Sequence, residues 1–240
     1  MERIEYERLA AVEDRMWWTR ALRRNLLAAG IRFPCVAGGR ALDAGCGTGG
    51  LLATLTARPE LASFGIDRDR FACELARRRT RRAIAQGSID ALPFGDAVFD
   101  VIFSADVLCH RGVAVDRALR ELRRCLKPGG ALIVNLPAYQ WLYSAHDRAV
   151  DNVRRYRRRE VEKLLAGAGF GDVHATYWNT LLFPLMVARR LLPGGGSEVR
   201  LLPAPLERLF DSFAALESAL IRTGLRLPFG GSILAAGTRL

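Results

Sequence analysis

The chain has 240 residues, of which 50% are hydrophobic, and 36 Lys+Arg against 25 Asp+Glu give a formal net charge of +11. That balance excludes a disordered chain and suffices for one large core able to enclose a ligand. Only Lys127 and Lys163 are lysine, so nearly all of the positive charge is arginine spread over many polar faces. It does not form the clustered, aromatic-interleaved stripe that tracks nucleic acid.

Residues 4–29 carry Tyr6, Leu9, Met16, Leu22 and Leu26 loosely on one face before Gly30, which predicts one N-terminal helix. Trp17 and Trp18 fall inside it, as core packing or, for Trp17, as a wall of a substrate pocket. From Arg40 onward, short apolar runs alternate with helical segments, the pattern of βαβ units around a parallel sheet. Strands are expected at 40–44, 62–67, 83–88, 98–104 and 130–136, with helices near 49–57, 69–82, 113–126 and 157–168. Further strands are expected at 173–178 and 232–238. Between them lie two apolar helical pieces joined by the linker Pro193-Gly194-Gly195-Gly196-Ser197. In the second piece Leu206, Leu209, Phe210, Phe213, Leu216, Leu220 and Ile221 recur at helical spacing, with Glu207, Arg208, Asp211, Ser212 and Arg222 opposite.

The expected organisation is one domain over 1–240. It comprises a helical cap at 1–39, a ligand-binding core at 40–178, an apolar helical insertion at 179–230 and a final strand at 231–240. Cys35, Cys46, Cys73, Cys109 and Cys125 are odd in number and irregularly spaced, and only three histidines accompany them, so neither a disulfide framework nor a metal site is expected. Met1 to Glu5 is charged where a leader would be apolar, and no window approaches the ~20 apolar residues of a membrane span. A cytoplasmic location is the expectation.

The sharpest local signal is Asp43-Ala44-Gly45-Cys46-Gly47-Thr48-Gly49-Gly50. A strand ends, glycines let the backbone approach a ligand, and a helix begins with free N–H groups. Gly45, Gly47 and Gly50 satisfy a dinucleotide fingerprint, whereas Asp43 with Gly45, Gly47 and Gly49 satisfies the acidic-x-Gly-x-Gly-x-Gly pattern of S-adenosylmethionine sites. Asp67, ending the second strand, suits a ribose in either class. Three features favour the second: Asp43 can accept from an ammonium, Asp90-Ala91-Leu92-Pro93-Phe94 follows the third strand, and Leu126-Lys127-Pro128-Gly129-Gly130 turns into the fifth.

On these motifs, residues 40–137 resemble the class I S-adenosylmethionine-dependent methyltransferases, specifically their broad small-molecule group. The resemblance implies a Rossmann-like, doubly wound α/β fold with a mostly parallel seven-stranded sheet, and S-adenosylmethionine as cofactor. It implies that Gly45, Gly47 and Gly49 cradle the methionine part and that Asp43 supports its ammonium. Cys46 sits in the same loop and counts among the cofactor-binding residues, as a small packing side chain rather than a reactive thiol. Asp67 would hold the ribose, with Arg68 near the adenine. Asp90, Ala91 and Leu92 would serve the adenine's amino group, ring edge and face, and Ser104 and Ala105 would line the sulfonium end.

The acceptor side is expected in the loop after the fifth strand, where Tyr139 and Tyr143 could sandwich a substrate and His146 beside Asp147 is the candidate base. His110 reads as structural or cofactor-adjacent. Arg154 to Arg159 precede or open a helix, where cations oppose the dipole at roughly 0.3–1 kcal/mol each; Arg154, Arg155 and Tyr156 are candidates for an anionic acceptor group. The apolar stretch Leu181 to Ala188 suggests a lid or homodimer surface, core packing, or peripheral contact with anionic lipid. The expected partner is a small-molecule acceptor methylated at oxygen, nitrogen or carbon. The alternatives are a nucleic-acid methyltransferase, disfavoured by Ser104-Ala105-Asp106-Val107 where an Asn-Pro-Pro-Tyr-like motif would stack a base, and a NAD(P)-type oxidoreductase.

Overall fold

The near-continuous apolar runs of the fourth and fifth strands lie at the centre of a seven-stranded sheet, covered on both faces. The computed structural model describes residues 3–31, 39–191, 199 and 201–240. The strands are β1 (Gly39–Ala44), β2 (Leu61–Asp67), β3 (Ile84–Gln86), β4 (Phe99–Ala105), β5 (Leu126–Pro137), β6 (Phe170–Trp178) and β7 (Ser232–Arg239). Their order is β3-β2-β1-β4-β5-β7-β6, with β7 antiparallel to both neighbours and the remaining pairs parallel. This is the expected Rossmann-like, doubly wound sheet. The order reverses between β1 and β4, which opens a crevice beyond their carboxyl ends.

The helices are α1 (Arg3–Val12), α2 (Trp17–Ile31), α3 (Gly50–Thr56), α4 (Arg70–Thr80), α5 (Val115–Cys125), α6 (Ala145–Ala149), α7 (Arg158–Gly167), α8 (Phe183–Leu191) and α9 (Ala204–Arg222). Along β4 the side chains alternate between two cores. Ile102 joins Leu119 and Leu122 of α5 and Leu165 of α7, while Val101 and Phe103 join Leu22 and Leu26 of α2 and Ile221 of α9. Each fully buried Leu, Ile or Phe contributes about 1.5–3 kcal/mol of transfer free energy.

Two expectations need correction. The N-terminal helix is two helices, because the chain turns at 13–16. Glu13 leaves the helical path to meet the glycine loop, and the first N–H of α2, on Trp17, donates to the Glu207 carboxylate of α9 at 2.7 Å. On α9, Glu207, Ala214, Glu217, Ser218 and Ile221 face inward, while Leu206, Leu209, Phe213, Leu216 and Leu220 are exposed. The inward acids have defined work, Glu207 at the start of α2 and Glu217 accepting the Thr180 N–H at 2.7 Å. The 193–197 linker and Cys35 fall outside the described residues. Among the described residues no helix is long and apolar enough to cross a membrane.

Candidate active site

A cavity of about 690 Å³ runs from the β1/β4 crevice to the insertion. Its first half is built by the glycine loop. Gly45, Gly47 and Gly49 all have positive φ, at 85°, 51° and 85°. At Gly45 a Cβ would stand 2.2 Å from Val107, and at Gly49 it would stand 3.0 Å from the Ala76 backbone, so these two glycines permit close packing. At Gly47 nothing lies within 4 Å, and the loop there faces the cavity.

Asp43 is buried, with one carboxylate oxygen lacking any hydrogen-bond partner, and it lines the cavity. Burial, with the nearby Asp67 charge, pushes it up to about 7. Asp67 accepts one backbone N–H on each oxygen, from Gly47 and from Asp69, both at 2.9 Å. Burial raises it as well, against those two bonds. Arg68 lines the cavity while donating to the Arg111 carbonyl at 3.0 Å. Cys46 reaches the cavity edge but belongs to a small core with Leu52, Cys73 and Ala76, and burial drives its thiol well above the usual range.

The turn after β3 differs from expectation. Gly87, Ser88 and Ile89 line the cavity, whereas Asp90, Ala91 and Leu92 do not. The Ala91 N–H donates to Ser88 at 3.2 Å and the Leu92 N–H to Glu121 at 3.0 Å, while the Leu92 side chain packs in the core. Asp90 is held below the usual carboxylate range, chiefly by the Ser88 hydroxyl, and accepts from the Ala114 N–H at 3.4 Å. At the end of β4, Ala105 lines the cavity. Ser104 does not, and its buried hydroxyl lacks a partner.

Asp106 and Asn179 line the cavity without having been singled out. Asp106 has φ 56° and receives the Asn135 amide at 3.0 and 3.1 Å on its two oxygens. Burial pushes it up to about 7 even so. Asn135 was the available signal, a polar residue inside the apolar run Leu132 to Leu136; its own oxygen is taken by Trp178 at 2.7 Å. Asn179 is buried with φ 60°, and its Oδ1 has no partner. His110 also lines the cavity, and burial holds it down at about 4.

At the acceptor half Trp17, His146 and Arg155 line the cavity; Tyr139, Tyr143, Arg154 and Tyr156 do not. Tyr139 stacks on Tyr177 at 5.2 Å, and the Tyr143 hydroxyl donates to the Asn152 carbonyl at 3.0 Å. Tyr156 is a core residue whose hydroxyl donates to Leu108 at 2.7 Å, and Arg154 covers its ring at 4.2 Å. Arg154, Arg155 and Tyr156 lie ahead of α7, which starts at Arg158, in a segment whose Tyr156 bridges Ala138, so they do not oppose its dipole and are held by these local contacts.

Asp147 is the centre of a buried cluster of donors. Its carboxylate accepts from the Ser144 N–H at 2.9 Å, Asn152 at 3.2 Å, Arg155 at 2.9 and 3.0 Å, and Arg190 at 3.3 Å. Burial alone would raise Asp147, but Arg155 and these donors hold it below the usual range. The cluster fastens α8 to the loop after β5, because Arg190 also donates to the Leu142 carbonyl at 2.8 Å.

Comparison with known proteins gives a consistent set. A family described as a methyltransferase domain matches residues 42–134. A 24-methylenesterol C-methyltransferase 2 of Oryza sativa subsp. japonica is 27% identical over 205 residues, which cover 68% of this chain and 55% of that protein. A malonyl-[acyl-carrier protein] O-methyltransferase of Herminiimonas arsenicoxydans is 31% identical over 193 residues, covering 73% of this chain and 66% of the other. This chain thus spans about half the length of the rice relative, at 55%. The structure of Haemonchus contortus phosphoethanolamine N-methyltransferase 2 with S-adenosyl-L-methionine aligns with a TM-score of 0.60 at 20% identity, covering 89% of this chain and 52% of that one.

Proposed function

We propose that this chain, which belongs to the class I S-adenosylmethionine-dependent methyltransferases, moves a methyl group from that cofactor to a small, largely apolar organic acceptor with a polar or anionic end. The observation that carries the reading is Asp43. A buried carboxylate oxygen without a partner, behind a glycine loop open to a cavity, fits an ammonium and is a poor neighbour for a pyrophosphate. Asp67 adds a second carboxylate to the same end, which also disfavours a dinucleotide.

S-adenosylmethionine supplies a methyl group already activated on a sulfonium. This chain's residues then have to bind, align and exclude water. Gly45, Cys46 and Gly47 form the floor, Asp43 takes the ammonium, and Asp67, each of whose oxygens has one backbone donor, retains capacity for ribose hydroxyls. Gly87, Ser88 and Ile89 flank the base in place of Asp90, Ala91 and Leu92. Trp17, Leu182, Met186 and Phe210 wall the acceptor half, with Asn179 Oδ1 ready to accept from a polar group. Asp106 is assigned as the group that takes a proton from the acceptor, and His146, on the same cavity, is the second candidate.

In this reading 1–240 works as one methyltransferase domain, with 40–178 holding the cofactor and 179–230 shaping the acceptor end. The outer face of the insertion is where a lipid surface or a second copy would meet it. A cytoplasmic setting suits Cys46, Cys73, Cys109 and Cys125, which form no disulfides. The test is release of S-adenosylhomocysteine across phenols, amines, carboxylates and lipid-like acceptors, paired with calorimetric titrations of S-adenosylmethionine and NAD. Saturable NAD binding without S-adenosylmethionine binding overturns the reading.

A further inference from the structure

The exposed large apolar residues of α9 fall at 206, 209, 213, 216 and 220, alternating steps of three and four that place one apolar stripe along the helix. The stripe is separate from the buried face that packs on α2. Leu209 is 47% exposed and Leu216 56%. The segment before α8 meets α9 through one backbone hydrogen bond. Glu217, next to Leu216, accepts the N–H of Thr180, next to Leu181, and Leu181 is itself 51% exposed. An apolar face of this extent requires an occupant.

The charges around it choose one. Among the described residues of 179–230, the exposed charged side chains are Arg189, Arg208, Arg222 and Arg226. The acids there are turned away: Glu207 and Glu217 are buried, and Asp211 pairs with Arg20 at 2.6 Å and Arg24 at 2.8 Å. A leucine-rich face whose exposed charges among the described residues of 179–230 are all arginine, with Glu162 of α7 at 3.9 Å from Arg226, complements a surface that is apolar beneath and anionic at its headgroups. Across a two-fold axis the same rim would face its own positive charges.

We propose that the outer face of α8 and α9 docks on the surface of an anionic lipid bilayer. Docking there is peripheral, with α9 lying along the interface. Leu185 and Leu206 are both exposed and line the cavity, so the docked face is continuous with the apolar half of the site. An acceptor dissolved in the bilayer would reach the cavity by that edge. This last consequence rests on the proposed methyl transfer, whereas the docking does not.

The test is flotation of the full chain with vesicles of phosphatidylcholine containing 30% phosphatidylglycerol, against phosphatidylcholine alone. The protein floats with the anionic vesicles, and raising the salt several-fold releases it. The pair Arg208→Gln and Arg222→Gln weakens binding by roughly fivefold for each arginine. The pair Leu209→Glu and Leu216→Glu abolishes flotation while S-adenosylhomocysteine affinity and melting temperature stay at the parent values. Absence of flotation at low salt, or equal flotation of all variants, overturns the docking. So does a dimer in sedimentation that Leu216→Glu dissociates without any flotation, which would assign the face to a second copy. Docking that persists while the chain fails to methylate any acceptor would sink the functional reading alone.

Discussion

Thr48 in the glycine loop donates its hydroxyl to the Glu13 carboxylate at 2.7 Å, which ties the N-terminal cap to the cofactor end of the cavity. Arg79 of α4 reaches the same carboxylate and also pairs with Asp14, and a Cβ on Gly50 would stand 2.2 Å from it. Hydrogen bonds to a charged group contribute about 1.5–3 kcal/mol. Glu13→Ala is expected to weaken S-adenosylhomocysteine binding about tenfold and to speed hydrogen exchange in 3–16 and 45–50. Glu13→Gln, which keeps an acceptor for Thr48, should recover part of both. Unchanged affinity and exchange in Glu13→Ala would detach the cap from cofactor binding.

Asp43 yields a proton count. Its folded pKa is about 7, raised above the ordinary carboxylate value by burial. Its stabilising contribution is therefore complete below about pH 4 and is lost as pH rises through 7. Asp43→Asn should gain stability relative to the parent between pH 5 and pH 8, seen as a growing difference in melting temperature. An ammonium placed beside the carboxylate lowers its pKa, so cofactor binding near pH 6.5 should release protons. Calorimetry in buffers of different ionisation enthalpy would register the release, and Asp43→Asn should abolish it. Binding enthalpies independent of buffer would remove Asp43 from the ammonium's side.

The alternation of apolar strands with helical segments made the sheet legible, and the glycine pattern with Asp43 and Asp67 marked the cofactor end. Local periodicity does not report which polar groups satisfy one another across the chain. Asp147 next to His146 looked like an acid orienting a base, but Arg155 and Arg190 claim it from 8 and 43 residues away. Tyr156 looked like part of a binding patch, yet its partner is the Leu108 carbonyl on another loop. The inward face of α9 misled for the same reason. A helix with apolar residues on two sides gives no periodic signal for choosing between them, and Glu207 and Glu217 face inward because distant N–H groups meet them there.

The Asp147 cluster sets a stability prediction. Arg155 and Arg190 keep only 3% and 8% side-chain exposure, so removing the carboxylate leaves two buried cations without it. Breaking such a pair costs about 3–5 kcal/mol. Asp147→Ala is expected to lose that much by urea denaturation, and Asp147→Asn somewhat less. Because its folded pKa is depressed, the contribution is present above the unfolded value and is lost as pH falls through the folded one. The gap between parent and Asp147→Ala should therefore narrow in acid. A gap that stays constant from pH 7 down to pH 2 would mean the carboxylate contributes by shape rather than by charge.

Asp106 and His146 are told apart by which variant removes the rising limb of a pH–rate profile. Asp106 sits at about 7 because burial outweighs the two Asn135 contacts that favour its ionised form. If it takes the acceptor's proton, turnover rises with pH through a limb near 7 that disappears in Asp106→Asn. That variant keeps size and tolerates φ 56°, since asparagine adopts the left-handed region readily. Its kcat should fall by roughly 10²–10⁴, with S-adenosylhomocysteine affinity little changed. His146→Gln should then retain the limb. Replacing Asn135 with serine removes donors that lower the Asp106 pKa, so the limb should move to higher pH, a shift that loss of packing alone would not produce. A limb that survives Asp106→Asn and vanishes in His146→Gln would transfer the proton to the histidine.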